Sequence, residues 1–154
     1  MKLHEMYMAQ ALREAEKAYE IDEVPVGAVI VYEGEIIARA HNQIKLLKDP
    51  TAHAEMIAIT QASSHLSNER LTGTELYVTL EPCSMCVGAA ILGRISKIIF
   101  GTSDPKTGAC GSVVELTRPG LFNHNIEILG GVMEKESRAL LQGFFLGKRG
   151  KGQG

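Results

Sequence analysis

Leu76-Tyr77-Val78-Thr79-Leu80-Glu81-Pro82-Cys83-Ser84-Met85-Cys86 is the stretch whose reading decides the fold. Its first five residues are apolar, aromatic or β-branched, the composition of a buried strand. Pro82 then suits the opening of a helix near Cys83, which puts Cys83 and Cys86 three apart on one helix face. A strand running straight into a helix delivers both thiols to the carboxyl end of a sheet, where open α/β sheets place their ligands. Upstream, Asp49-Pro50-Thr51-Ala52-His53-Ala54-Glu55 completes the picture. Asp49 is a good N-cap and Pro50 suits a first helical position, so a helix is expected over residues 52–64. Residues two apart do not share a helix face, so His53 and Glu55 converge only on something lying off the N-terminal end. One imidazole and two thiols are thus expected between two helix N-termini, whose dipoles favour thiolates and bound anions.

This donor set suits zinc. Structural zinc sites normally close with four protein ligands, whereas catalytic ones keep three and leave a position to water. No fourth Cys or His stands at useful spacing, so the site reads as open. His-x-Glu followed by Pro-Cys-x-x-Cys is the pattern of zinc nucleobase deaminases, in which the glutamate is a proton carrier and not a ligand. Each residue alone has an ordinary reading as a buried His or a small apolar Cys. Five motif residues at this spacing carry the metal reading instead. His53, Cys83 and Cys86 are then the ligands and Glu55 acts first as base and then as acid. The N–H of Ala54, at a helix start, is expected to stabilise a developing oxygen.

The rest of the chain frames that site. At 154 residues and 45% hydrophobic content it is expected to form one domain, 1–154, with a short polar, basic tail at 147–154. Residues 3–20 carry an apolar stripe, Met8, Ala11, Leu12, Ala15, Ala18 and Tyr19, at helical spacing. Residues 26–32 and 35–41 read as a hairpin closed by Glu33-Gly34. Gly27 either weakens its strand or admits a ligand to the backbone. Asn42 either opens a loop or reads a purine edge with its donor and acceptor. Further strands are expected at 95–100 and 126–129, and a last helix at 134–145. The loop 101–112 should share the rim of the metal site, where Asp104 and Lys106 either contact substrate or form a solvated turn.

Three cysteines, two assigned to metal, argue against a disulfide framework and for a reducing, cytoplasmic setting; Cys110 is left as a free thiol. The longest apolar run, residues 24–32, is far short of a membrane span. A formal net charge of −2 offers no global basic field, and no DNA partner is expected.

The segments Glu23-Val24-Pro25-Val26-Gly27-Ala28-Val29, Ala40-His41-Asn42, 50–55, 76–83, Asp104-Pro105-Lys106-Thr107-Gly108, Phe122-Asn123-His124 and Phe144-Phe145 together resemble the bacterial tRNA-specific adenosine deaminases. That resemblance implies a three-layer α/β/α sandwich around a mixed five-stranded sheet, a homodimer, one zinc per subunit, and a tRNA anticodon stem-loop as substrate. It implies that Asn42 and the Ala54 backbone hold the flipped base, and that Asp104, Lys106, Phe145 and Arg149 touch neighbouring nucleotides. The rival activities are a free-base or nucleotide deaminase and a non-catalytic, zinc-containing RNA-binding subunit.

Overall fold

The computed structural model describes the backbone of residues 2–152 and the side chains of residues 2–148. The helix expected at the start is α1, Lys2–Glu20. Its stripe of Met8, Ala11, Leu12, Ala15 and Ala18 is buried, while Tyr19 lies at the edge with its ring against Phe144. The hairpin is β1, Gly27–Tyr32, and β2, Glu35–His41. Glu33 (φ 49°) and Gly34 (φ 80°) both take the positive φ that a tight two-residue turn needs. A short helix, α2 (Ile44–Leu47), follows, and then α3 (Ala54–Leu66), β3 (Thr74–Leu80), α4 (Ser84–Leu92), β4 (Lys97–Thr102), β5 (Glu127–Leu129) and α5 (Glu134–Gly152).

The sheet runs β2-β1-β3-β4-β5. β1 is antiparallel to both β2 and β3, whereas β3, β4 and β5 run parallel. This is the mixed five-stranded sheet of the expected sandwich. Strand β1 and the centre of β3, residues 76–78, are apolar and buried because both of their faces are covered. On one face Ala28, Ile30, Leu76, Val78 and Ile98 pack against Ala54, Ala58 and Ala62 of α3 and Val87, Ala90 and Ile91 of α4. On the other, Val29, Val31, Tyr77 and Ile99 meet Met8 and Ala11 of α1 and Val132 before α5. Tyr77 is wholly buried, and its hydroxyl pairs with His4 Nδ1 at 2.7 Å.

Three local expectations are corrected. What approaches Gly27 is neither a ligand nor empty space but α1: a Cβ there would overlap Ala11 O and lie 2.5 Å from Ala15 N. The first metal helix begins at Ala54, later than Pro50 suggested, because the Asp49 carboxylate accepts from both the N–H (2.8 Å) and the hydroxyl (2.7 Å) of Thr51 and closes its own turn. The last helix does not stop at residue 145. It runs on through Gly147, and Lys148 is tied to Asp22 Oδ2 (2.6 Å) beyond the end of α1, with its ammonium 5.7 Å from the Phe144 ring centroid.

Candidate metal centre

Two helices begin at the same place. His53 is the N-cap of α3 (φ −70°, ψ 151°) and Cys83 is the N-cap of α4 (φ −78°, ψ 174°); neither side chain caps its own helix. Both are therefore free to turn toward the gap between the helix ends. Cys86, in the first turn of α4, is fully buried and completes the group. His53 Nδ1 lies 3.7 Å from Cys83 Sγ and 3.6 Å from Cys86 Sγ, and the two sulfurs are 3.8 Å apart. Tetrahedral zinc, with bonds of about 2.3 Å to sulfur and about 2.0 Å to nitrogen, would space such atoms about 3.8 Å and about 3.5 Å apart. The three donors fit that ion in both chemistry and separation. Among the described residues they form the one group of His, Cys, Asp or Glu donors gathered closely enough for a metal.

The electrostatics follow from packing two thiols, an imidazole and a carboxylate together. Cys83, hydrogen-bonded first of all to Cys86 and then to His53, is held as a thiolate with its pKa lowered to about 4. Cys86, beside that sulfur, buried and facing Glu55, is pushed well up. The hydrogen bond to Cys83 raises His53. A cation among these donors would lower Cys86 as well, since a coordinating thiol loses its proton. Glu55 is 4% exposed, and burial raises its pKa against the opposing pull of its backbone N–H and of His53. A buried carboxyl whose pKa is raised by desolvation, beside three potential metal donors, is suited to carrying a proton.

Asn42 is buried, and its Oδ1 accepts the N–H of Ala54 at 2.8 Å. The expected free Ala54 N–H is thus corrected: it is already engaged, as a cap on α3 supplied from β2's end. The engagement also fixes the amide of Asn42, because with Oδ1 taken by a donor its NH₂ is left as the end available to another partner.

The outer residues divide. The carboxylate of Asp104 accepts Lys106 N–H (3.0 Å), Thr107 N–H (3.2 Å) and the Thr107 hydroxyl (2.7 Å), so it shapes its own turn, and Lys106 stands exposed on that turn. Phe144 is buried, as expected of core, while Phe145 is 44% exposed. Arg149 lies outside the described side chains. Cys110 is half-buried, and burial, followed by Glu81, Glu55 and Glu115, pushes its thiol up to about 12. The residue that sequence reasoning missed is Glu81, 2% exposed and holding the loop after β4. Its one signal was an acid between a buried strand and Pro-Cys, where solvation gives no reason for a charge.

The chain matches the family model of the MafB19-like deaminases over residues 2–149. It is 49% identical over 145 residues to a tRNA-specific adenosine deaminase of Bacillus subtilis, covering 94% of this chain and 90% of that protein. It is 50% identical to the enzyme of the same name from Aquifex aeolicus, covering 92% of this chain and 93% of that one. A solved structure from studies of A-to-I editing by tRNA:A34 deaminases at the wobble position superposes with a TM-score of 0.85 at 45% identity, over 88% of this chain and 99% of that chain. A guanine deaminase from Nitrosomonas europaea gives a TM-score of 0.76 at 25% identity, over 91% of this chain and 83% of that one. Fold and donor set are those of a deaminase, and the level and extent of identity place the chain in the tRNA-specific adenosine deaminase family.

Proposed function

We propose that this chain, as a single domain over residues 1–154, hydrolyses the exocyclic amine of the wobble adenosine in a tRNA anticodon stem-loop, giving inosine and ammonia. The observation that carries the reading is the spacing of His53 Nδ1, Cys83 Sγ and Cys86 Sγ, 3.6–3.8 Å apart, with the buried carboxyl of Glu55 beside them. These three residues would hold zinc, which when bound supplies a water acidified toward a pKa of about 7. Glu55 takes a proton from the attacking water and passes it to the purine ring nitrogen next to the reacting carbon. It then takes the remaining proton from the hydroxyl now on that carbon and delivers it to the amine, so that the C–N bond breaks, a C=O forms and ammonia leaves. One carboxyl serves both steps because its site excludes water that would otherwise exchange with it.

The base reaches this gap by leaving its stack. The Asn42 NH₂, fixed by the bond from Ala54 N–H to its Oδ1, donates to a ring acceptor of the flipped base. Lys106 supplies a cation for a neighbouring phosphate, and Asp104 acts through the turn it builds under Lys106. The exposed ring of Phe145 on α5 offers a stacking face. With a net charge of −2, affinity rests on these local groups and not on a general field.

A homodimer is part of the proposal. Leu46 and Leu47 on α2 are 62% and 54% exposed and Leu92 at the end of α4 is 81% exposed, apolar side chains that a second copy would cover. No described helix is long and apolar enough to cross a membrane, and the chain is assigned to the cytoplasm, where its RNA is found. The test is incubation of the zinc-loaded protein with an anticodon stem-loop bearing a wobble adenosine, with Glu55→Ala alongside and inosine read by mass spectrometry of the digested RNA. Inosine from the wild type alone supports the reading. Absence of inosine, with release of ammonia from free guanine or cytosine, refutes it in favour of a small-molecule deaminase.

A further inference from the structure

Glu81 lies between β3 and the metal-binding turn, and its carboxylate is 2% exposed. It accepts the N–H of Asp104 (3.0 Å) on Oε1, the N–H of Cys110 (2.9 Å) and of Ser112 (3.2 Å) on Oε2, and the hydroxyl of Ser112 on Oε1. An ionised carboxylate has about four acceptor positions, and one nine-residue segment, 104–112, fills them all. The segment wraps the carboxylate closely enough to require glycine at its middle. A Cβ on Gly108 would lie 2.5 Å from Glu81 Oε2 and 2.6 Å from Asp104 O. The same segment is bonded to the metal-binding turn: Gly108 forms an antiparallel bridge with Cys83, and Ala109 N–H donates to Pro82 O at 2.9 Å.

We infer that Glu81 is a positioning residue: its carboxylate fixes the Asp104–Ser112 segment against the Cys83 turn, and so sets where Lys106 stands relative to the metal centre and where the substrate's flanking nucleotide is held. The inference rests on the RNA reading above for its substrate. A carboxylate is needed because every partner is a donor. A glutamine in its place would turn an NH₂ either toward the Asp104 N–H or toward the Cys110 and Ser112 N–H groups, and would lose the backbone bonds on that side, while the Ser112 hydroxyl can reverse and accept. The chemistry itself stays with Glu55 and the three metal donors, on other residues.

The test uses the zinc-loaded protein, its Glu81→Gln variant and, as a milder change, Ser112→Ala, which removes one of the four donors. Amide hydrogen exchange resolved by residue reads the segment directly, and steady-state kinetics on the stem-loop RNA reads the consequence. Expected for Glu81→Gln are bound zinc equal to wild type, exchange accelerated at least about tenfold at the Asp104 amide or at the Cys110 and Ser112 amides, and a KM for the RNA raised about tenfold with kcat within about threefold. Ser112→Ala should show the same pattern in smaller degree. Unchanged exchange at those three amides overturns the inference, and so does a fall in kcat accompanied by loss of zinc, which would make Glu81 part of the metal centre's own scaffold. Should Glu81→Gln fail to fold, Ser112→Ala carries the test, with unchanged exchange and KM overturning the inference. If the wild type itself makes no inosine, the RNA reading fails, and the exchange measurement still decides whether Glu81 holds the segment.

Discussion

Asn42 caps α3 with one end of its amide and, in the function proposed above, meets the base with the other, and substitution can separate the two. Its Oδ1 accepts the N–H of Ala54 at the first turn of α3, a residue with no exposed surface. Asn42→Ala leaves that N–H unpaired in a buried place, which costs about 1–3 kcal/mol. For a chain of this length each kcal/mol lowers Tm by about 2–4 °C, so a fall of roughly 2–12 °C is expected. Asn42→Asp keeps an oxygen at the same distance and places a carboxylate at a helix N-terminus, where the dipole favours it. Its Tm should lie above that of Asn42→Ala, within roughly 2–4 °C of wild type. It has lost the NH₂, however, and presents an acceptor where the base needs a donor, so inosine formation on the stem-loop should fall at least about tenfold, the worth of about 1.4 kcal/mol. The assays are thermal unfolding and single-turnover inosine formation on zinc-loaded protein. Equal destabilisation by Ala and Asp would refute the cap, and wild-type turnover in Asn42→Asp would refute the reading of the base.

Glu55→Gln should keep zinc and fold but lower kcat by about 10²–10⁴, the usual worth of a positioned proton carrier; measurable zinc loss in that variant would make Glu55 a ligand. Cys86→Ala should bind substoichiometric zinc by elemental analysis, because only two of three donors remain. Gly27→Ala should destabilise by about 1–3 kcal/mol or more, since its Cβ runs into the backbone of α1 and the helix has to shift; a Tm equal to wild type would mean that α1 sits further from β1 than described. Burial alone would raise the pKa of Glu14, but hydrogen bonds from Lys17 and His41 outweigh it and hold the pKa below 4.5. A group depressed on folding stabilises above its unfolded pKa and loses that contribution as pH falls through the folded value. The Tm advantage of wild type over Glu14→Gln should therefore be full at about pH 6 and shrink as pH drops below about 4.5; an advantage that grows with acid would contradict the sign.

The parts of this molecule that were legible in the sequence are those decided by neighbours in the chain. The buried strand 76–80, the hairpin turn at Glu33-Gly34 and the stripe of α1 each follow from local period or turn chemistry. The three metal donors are legible for another reason: soft ligands are few, and their chemistry narrows what they can do together. The start of α3 was misread because Asp49 satisfies Thr51 locally, and that competes with helix capping. The true cap of Ala54 comes from Asn42, twelve residues away across the fold, and no window on the sequence contains that pairing. Helix α2 was invisible for the same reason. It has four residues, and the N–H groups of Lys45 and Leu46 are held by Glu23, more than twenty residues earlier. The length of α5 was misjudged because Gly147 argues locally for a stop, at a cost of about 1 kcal/mol in a helix. The contact of Lys148 with Asp22 opposes that cost from outside the helix, and its ammonium over the Phe144 ring adds an i,i+4 contact within it.

Glu23 and Glu81 together suggest how one sheet can carry a fixed reaction and an adjustable substrate preference. Each is 2% exposed, and each holds backbone N–H groups of a loop beside the metal centre, α2 in one case and the 104–112 segment in the other. The metal donors stand on the starts of α3 and α4, which are packed into the core through Ala54, Ala58, Val87 and Ala90. Their separation is therefore set by helix–sheet packing, which does not deform continuously. Each flanking segment has backbone N–H groups held by one buried carboxylate, alongside its own backbone bonds, so its side chains can vary while its backbone stays in place. Lys106 is exposed and its own N–H is held by Asp104, so a substitution there alters what the loop presents without altering how it is held. Change of substrate in such an architecture needs no change at His53, Glu55, Cys83 or Cys86. That separation is the physical reason why the zinc pattern alone identifies the reaction and leaves the substrate to be read from the loops and from α5.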